Sequence, residues 1–149
     1  MARMLGVDLG EKRVGLAVSD PAGILATPLR VLNVTSPQDA ARQVGAACGE
    51  TGAEGIVLGL PRNMDGTEGP KAREARAFAA AMEGQSGLPV TLWDERLSTS
   101  LVERSLLEAD VSRRRRRDVR DKLAAQVILQ SYLDAQAETD WVEPGELSP

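Results

Sequence analysis

Hydrophobic and polar positions alternate from the start of the chain. In "RMLGVDLG", Leu5, Val7 and Leu9 fall on one side of an extended segment, and Met4, Gly6 and Asp8 on the other. "VGLAVSD" alternates again through Val14, Leu16 and Val18, so the intervening "GEKR" predicts a hairpin connection. "LRVLNV" predicts a third strand. Ser36-Pro37 then opens a helix: Ser36 can cap, Pro37 suits the first turn, and Asp39 completes a capping-box-like spacing. That helix is expected to end near Gly52. "GIVLGL", Gly55 to Leu60, is a continuous apolar run, as in a strand covered on both faces. A polar loop leads to a helix from Pro70 to about Gly84, and "PVTLW" gives a fifth strand. "STS", Ser98 to Ser100, offers caps for a helix to about Asp110, and a last helix is expected from near Asp118 to roughly Ala135.

This order predicts an α/β fold. An antiparallel β1-β2-β3 meander followed by two strand-helix-strand crossovers gives a mixed five-stranded sheet with helices on both faces. Residues 1–136 form one domain in this reading, and the acidic residues 137–149, with Pro144, Gly145 and Pro149, form a loose tail.

Composition narrows the chemistry. The 149 residues contain no apolar run of bilayer-spanning length, and "MARMLGVDLG" lacks the segments of a signal peptide, so the cytoplasm is expected and a membrane partner is not. A lone cysteine, Cys48 in "GAACGE", excludes an internal disulfide and reads as inert packing in a helix. The count of zero histidines removes Ser-His-Asp and Cys-His nucleophile systems, histidine bases and His-ligated zinc together. Any catalysis must rest on carboxylates, with a metal that prefers oxygen.

Three acids fit that requirement. Asp8 lies late in an apolar strand, either as a ligand or as a turn residue capping the hairpin before Gly10. Glu95 closes the fifth strand, where ligands gather in open α/β sheets; alternatively it pairs with Arg96 or caps the next helix. Asp121 precedes Ala125, Ile128 and Tyr132 at helical spacing, with Asp118 one turn earlier as its rival. The helix dipole and neighbouring Arg117 both favour its ionised form. Together the three can hold Mg²⁺ or Mn²⁺ at a phosphodiester.

Charge supplies the anionic partner. Formal net charge is -4, yet Ser112 to Lys122 holds seven basic residues against two acidic ones. A basic patch on an acidic body points to nucleic-acid backbone rather than general stickiness. Five adjacent arginines cannot share one side of a helix, so Arg113 to Arg117 are expected to form an exposed, mobile approach to the last helix. Arg113 or Arg114, Arg117 and Arg120 can still face one groove with Asp121. In "GLPRNMDGTEG", Arg62, Asn63 and Thr67 are positioned for phosphate, with Glu68 a supporting acid for the metal. Only four aromatics are present, and Trp93 reads as core, so base stacking is a minor mode.

Four stretches, "GVDLGEKRVGLAVSD", "GLPRNMDGTEG", "DERLST" and "DKLAAQVILQSYL", resemble the signatures of the YqgF family, also called RuvX. Its members are bacterial ribonuclease-H-like proteins described as Holliday junction resolvases and as pre-ribosomal RNA nucleases. The resemblance runs from about Met4 to Asp134. It implies a ribonuclease-H-like three-layer α/β/α fold, with the family's three metal-binding acids at Asp8, Glu95 and Asp121. Asp121 is favoured because it immediately precedes the "KLAAQ" match. The arginine run is richer than the family's usual lysine-containing segment.

The expected activity is endonucleolytic, using a two-ion Mg²⁺ or Mn²⁺ site. Its substrate is either precursor ribosomal RNA or a four-way DNA junction, the latter requiring a homodimer. Lys12, Arg13, Arg62, Asn63, Thr67, Arg96, Arg113, Arg114, Arg115, Arg116, Arg117, Arg120 and Lys122 are the candidate nucleic-acid contacts. Two rivals stand beside it. One is a non-catalytic nucleic-acid-binding or ribosome-associated factor. The other is an actin-like ATPase using Asp8-Leu9-Gly10 with Gly15, which the length of one domain disfavours.

Overall fold

The computed structural model describes residues 2–97 and 113–140, and within the last helix it describes side chains from Leu123 to Ala137. The strands are β1 (Met4–Leu9), β2 (Arg13–Ser19), β3 (Ala26–Asn33), β4 (Gly55–Leu60) and β5 (Val90–Asp94). The helices are α1 (Pro37–Thr51), α2 (Pro70–Ser86) and α3 (Arg113–Asp140), with a 3-10 turn at Glu95–Leu97. The helix expected over Ser98–Asp110 lies outside the described residues.

The sheet order is β3-β2-β1-β4-β5. Strands β1, β2 and β3 pair antiparallel, while β1-β4 and β4-β5 pair parallel, as the crossover pattern predicts. Alternation sorts the strands' residues between two cores. Leu5, Val7, Val14, Leu16, Ile56 and Leu58 meet Val44 of α1 and Phe78 and Met82 of α2. On the other face Ala17 and Val57 meet Ala125, Ile128, Leu129 and Leu133 of α3. Helices therefore cover both faces, giving three layers.

Small residues let α3 lie close. A Cβ at Gly6 would stand 2.7 Å from Leu129 Cβ and 3.0 Å from the Ala125 carbonyl oxygen. Two glutamines then fix the helix to the edge strand. Ala26 N–H donates to Gln130 Oε1 at 2.8 Å, and Gln126 Nε2 donates to the Ala26 carbonyl at 3.1 Å. Trp93 packs edge-on to Tyr132 and donates to Ser131 Oγ at 3.0 Å, the core role expected of it.

Helix ends depart from expectation where local chemistry differs. Helix α2 runs past Gly84 to Ser86 and stops at Gly87, which takes the left-handed conformation at φ +71° and donates its N–H to the Glu83 carbonyl. Helix α3 begins at Arg113, not near Asp118, so the arginine run is helical rather than a mobile approach. Arginine is a strong helix former and no breaker separates the run from the apolar segment. The helix also reaches Asp140, taking in the first residues of the expected tail.

Helix α1 starts as predicted. Ser36 Oγ accepts from Asp39 N–H at 3.0 Å, and Asp39 Oδ2 accepts from Thr35 N–H at 3.0 Å. Ser36→Ala is expected to lower stability by about 1 kcal/mol, read as a drop in thermal midpoint. Cys48 is buried in α1, and burial pushes its thiol pKa up, in keeping with inert packing.

Candidate active site

The parallel strands β1, β4 and β5 end along one edge of the sheet, where open α/β folds place their ligands. Asp8 is the penultimate residue of β1, on the α3 face with Gly6. Glu95 is the first residue after β5, and the loop 61–69 follows β4. Chain reversal between β1 and β2, closed by Gly10 N–H donating to the Arg13 carbonyl at 2.9 Å, brings Lys12 and Arg13 to the same edge.

Gly59 decides where Glu95 goes. It is level with Trp93 in the β4-β5 register, and a Cβ there would stand 2.6 Å from Glu95 Oε1 and 2.8 Å from Glu95 Cγ. The Glu95 side chain thus lies across the bare backbone of β4. From there its carboxyl shares a hydrogen bond with Asp8 on β1. Burial first, then that hydrogen bond and the charges of Asp8 and Asp94, push the Glu95 pKa up to about 8. Near neutral pH the two carboxyls therefore hold one proton between them. A glycine inside "GIVLGL" is the sequence signal for this close approach.

The alternative partner for Glu95 is taken. Arg96 turns away to Asp94, with Nε 3.0 Å and Nη2 2.7 Å from Oδ2, and holds the Asp94 carboxyl below the usual carboxylate range. Arg96 Nη1 also donates to the Met64 carbonyl at 3.4 Å. Arg96, one of the candidate nucleic-acid contacts, thus also ties the end of β5 to the loop.

Within the loop, Asn63 and Thr67 bind each other. Asn63 N–H donates to the Thr67 carbonyl at 2.9 Å, and Asn63 Nδ2 donates to Thr67 Oγ1 at 3.0 Å. Asp65 Oδ1 accepts from both Thr67 N–H, at 3.0 Å, and Thr67 Oγ1, at 2.6 Å. Glu68 takes two 2.6 Å hydrogen bonds from Arg76. Arg62 is held more loosely. Its nearest acids, Glu68 at 3.7 Å and Asp94 at 4.0 Å, each have a tighter arginine partner, and its buried Nε lacks a hydrogen-bond acceptor.

Asp121 lies in α3 one turn before Ala125, whose carbonyl faces Gly6. The side chains of Asp121, Arg113 to Arg117, Arg120 and Lys122 lie outside those described. Among the described residues, no group of three acids, histidines or cysteines gathers around a metal position. The Asp8–Glu95 pair fits a hard divalent ion on chemical grounds. Its donors are oxygens, and a cation between two touching carboxyls lets both ionise at lower pH than they otherwise would.

Comparison with known proteins extends these observations. Residues 2–135 match the family model described as "RuvX: Holliday junction resolvase". A protein of Pelotomaculum thermopropionicum is 50% identical over 135 residues, covering 90% of this chain and 88% of its own. One of Symbiobacterium thermophilum is 52% identical over 135 residues, covering 91% and 94%. Both bear the name "Putative pre-16S rRNA nuclease". Among solved structures, Thermus thermophilus RuvC in complex with a Holliday junction substrate superposes with a TM-score of 0.58 at 18% identity, covering 93% of this chain and 98% of that one. The Fowlpox virus resolvase in complex with Holliday junction DNA gives 0.54 at 12% identity, covering 91% and 99%. Identities this low speak to fold alone, and the fold is ribonuclease-H-like. The sequence match carries more, because it spans the acid of β1, the loop after β4, the acid after β5 and the start of the last helix: the chain belongs to the RuvX family.

Proposed function

We propose that this protein is a divalent-metal-dependent endonuclease that trims precursor small-subunit ribosomal RNA. The observation that carries the proposal is the Asp8–Glu95 pair, seated at the carboxyl edge of the sheet by the bare backbone at Gly59. Relatives at about half identity over nearly the full chain bear the pre-16S rRNA nuclease name, which favours RNA as the substrate.

Asp8 and Glu95 would hold Mg²⁺ or Mn²⁺, with Asp121 as the third ligand from α3. When bound, the metal supplies Lewis-acid polarisation of the phosphoryl oxygen and lowers the pKa of the attacking water, as one ion or as a two-ion clamp. The chain's own contribution is positional. Asp8 and Glu95 would lose the proton they share on holding the ion, which ties metal affinity to pH. Arg62, whose partly exposed guanidinium has only distant acids, is placed to take a backbone phosphate oxygen. Lys12 and Arg13 flank the same edge. The seven basic residues of Ser112 to Lys122 would supply non-specific backbone affinity, steeply dependent on salt.

A junction substrate is the second reading, favoured by the family description and by fold neighbours solved on Holliday junctions. The two are separated by incubating the protein with Mn²⁺ and either a 5′-extended precursor-RNA mimic or a synthetic four-way DNA junction. Preferential RNA cleavage, by at least about tenfold (some 1.4 kcal/mol), is expected. Symmetric cutting of the junction by a homodimer would move the substrate to DNA, and no cleavage of either would remove the enzyme assignment.

A further inference from the structure

Met64 is the most exposed large apolar side chain among the described residues, with 95% of its surface open. A scattered surface methionine needs no explanation by itself. This one differs in how its backbone is held and in what it stands beside. It sits at the tip of the loop after β4, between Asn63 and Asp65, both of which spend their side chains binding Thr67. Gly66 N–H closes the turn onto the Asn63 carbonyl at 2.9 Å. The Met64 carbonyl accepts from Arg96, the residue directly after Glu95. The tip is therefore tied to the segment that carries the metal-pair acid, and on its other flank stands the loosely held Arg62.

Polar residues would have dissolved this tip in water at no cost, whereas an unbranched apolar chain in full solvent gains free energy only by being covered. On the nuclease reading the cover would be nucleic acid: a backbone held by Arg62 would bring bases of the same strand toward the loop tip. Apolar side chains presented this way enter between bases and unstack them. A break in helical stacking, at a branch or a helix end, costs least to open.

We infer that Met64 is a wedge that enters the base stack at a discontinuity of the bound nucleic acid and sets the distance from that discontinuity to the cut phosphate. The inference rests on the nuclease assignment and deepens it by naming the substrate feature recognised: a helix discontinuity rather than a base sequence.

The test uses the full chain, a 2-aminopurine reporter at the discontinuity, and two probe arms: an RNA helix with a single-stranded 5′ extension, and a four-way DNA junction. Wild type bound in Ca²⁺ should raise reporter fluorescence in at least one arm, and the arm that responds identifies the source of the base stack. Met64→Ala should abolish most of that rise, cut cleavage of the responding probe about tenfold in Mn²⁺, and scatter the cut position, while Met64→Leu restores all three. The thermal midpoint should be unchanged, since the side chain touches solvent. Undiminished fluorescence and an unmoved cut in Met64→Ala would overturn the wedge while leaving the nuclease intact. Wild type that cleaves neither probe would overturn both.

Discussion

Glu95→Gln is expected to abolish cleavage, by about 10³-fold or more, and at the same time to make the metal-free protein more stable at alkaline pH. The two effects share one origin. Glu95 has a folded-state pKa of about 8 against an ordinary value of 4.5. Between those values the folded chain binds a proton that the unfolded chain has lost, so stability falls as pH rises. The contribution of Glu95 is fully present below about pH 4.5 and is lost as pH climbs through 8. One pKa unit corresponds to about 1.4 kcal/mol, and after allowance for partial solvation and for coupling to Asp8 the relief from Gln is about 2–3 kcal/mol. For a domain of this size that is a gain of roughly 4–10 °C in thermal midpoint at pH 8 to 9, shrinking to nothing near pH 4.5. Mn²⁺ should stabilise the wild type in the same assay and the variant far less. An alkaline midpoint that Glu95→Gln leaves unmoved would mean that the carboxyls do not crowd each other, and active Glu95→Gln would remove the residue from the metal site.

Gly59→Ala is the second large effect. The added methyl would lie 2.6 Å from Glu95 Oε1 and 2.7 Å from Ile128 Cδ1, both far inside ordinary contact. Overpacking of this kind costs about 1–3 kcal/mol, and displacing Glu95 by even 1 Å costs about 10²-fold in rate. The two consequences can be separated. Ile128→Val removes the Cδ1 atom, so the double variant should recover thermal midpoint but not cleavage, because the clash with Glu95 remains. Activity and stability returning together would show that Gly59 serves only the packing of α3. The contrast with Gly6 is instructive, since a methyl there meets the Ala125 carbonyl of the α3 backbone and the helix itself must shift.

The sheet was legible from alternation because Leu5, Val7, Val14 and Leu16 can be sorted to one face without knowing what covers it. The start of α1 was equally plain, since Ser36 and Asp39 satisfy each other's neighbourhood within a few residues. The end of α2 and the start of α3 differ from what residue type predicts. Gly84 and the arginine run suggest breaks, whereas the helices end and begin where backbone hydrogen bonds and helix propensity allow. Zero histidines and the placing of Asp8 and Glu95 at predicted strand ends point to carboxylate chemistry from the sequence.

What the residue order alone determined, then, was the set of local facts: which faces are apolar, where helices cap, and that no histidine is present to serve as base or ligand. The tertiary structure alone decided the pairings. Glu95 joins Asp8 instead of its neighbour Arg96, and Asp94 takes that arginine, because parallel pairing of β4 with both β1 and β5 puts a glycine between the two acids. Proximity across a sheet depends on register and on the room left by a missing side chain. Neither is a property of any short stretch of chain, and so neither can be read from one.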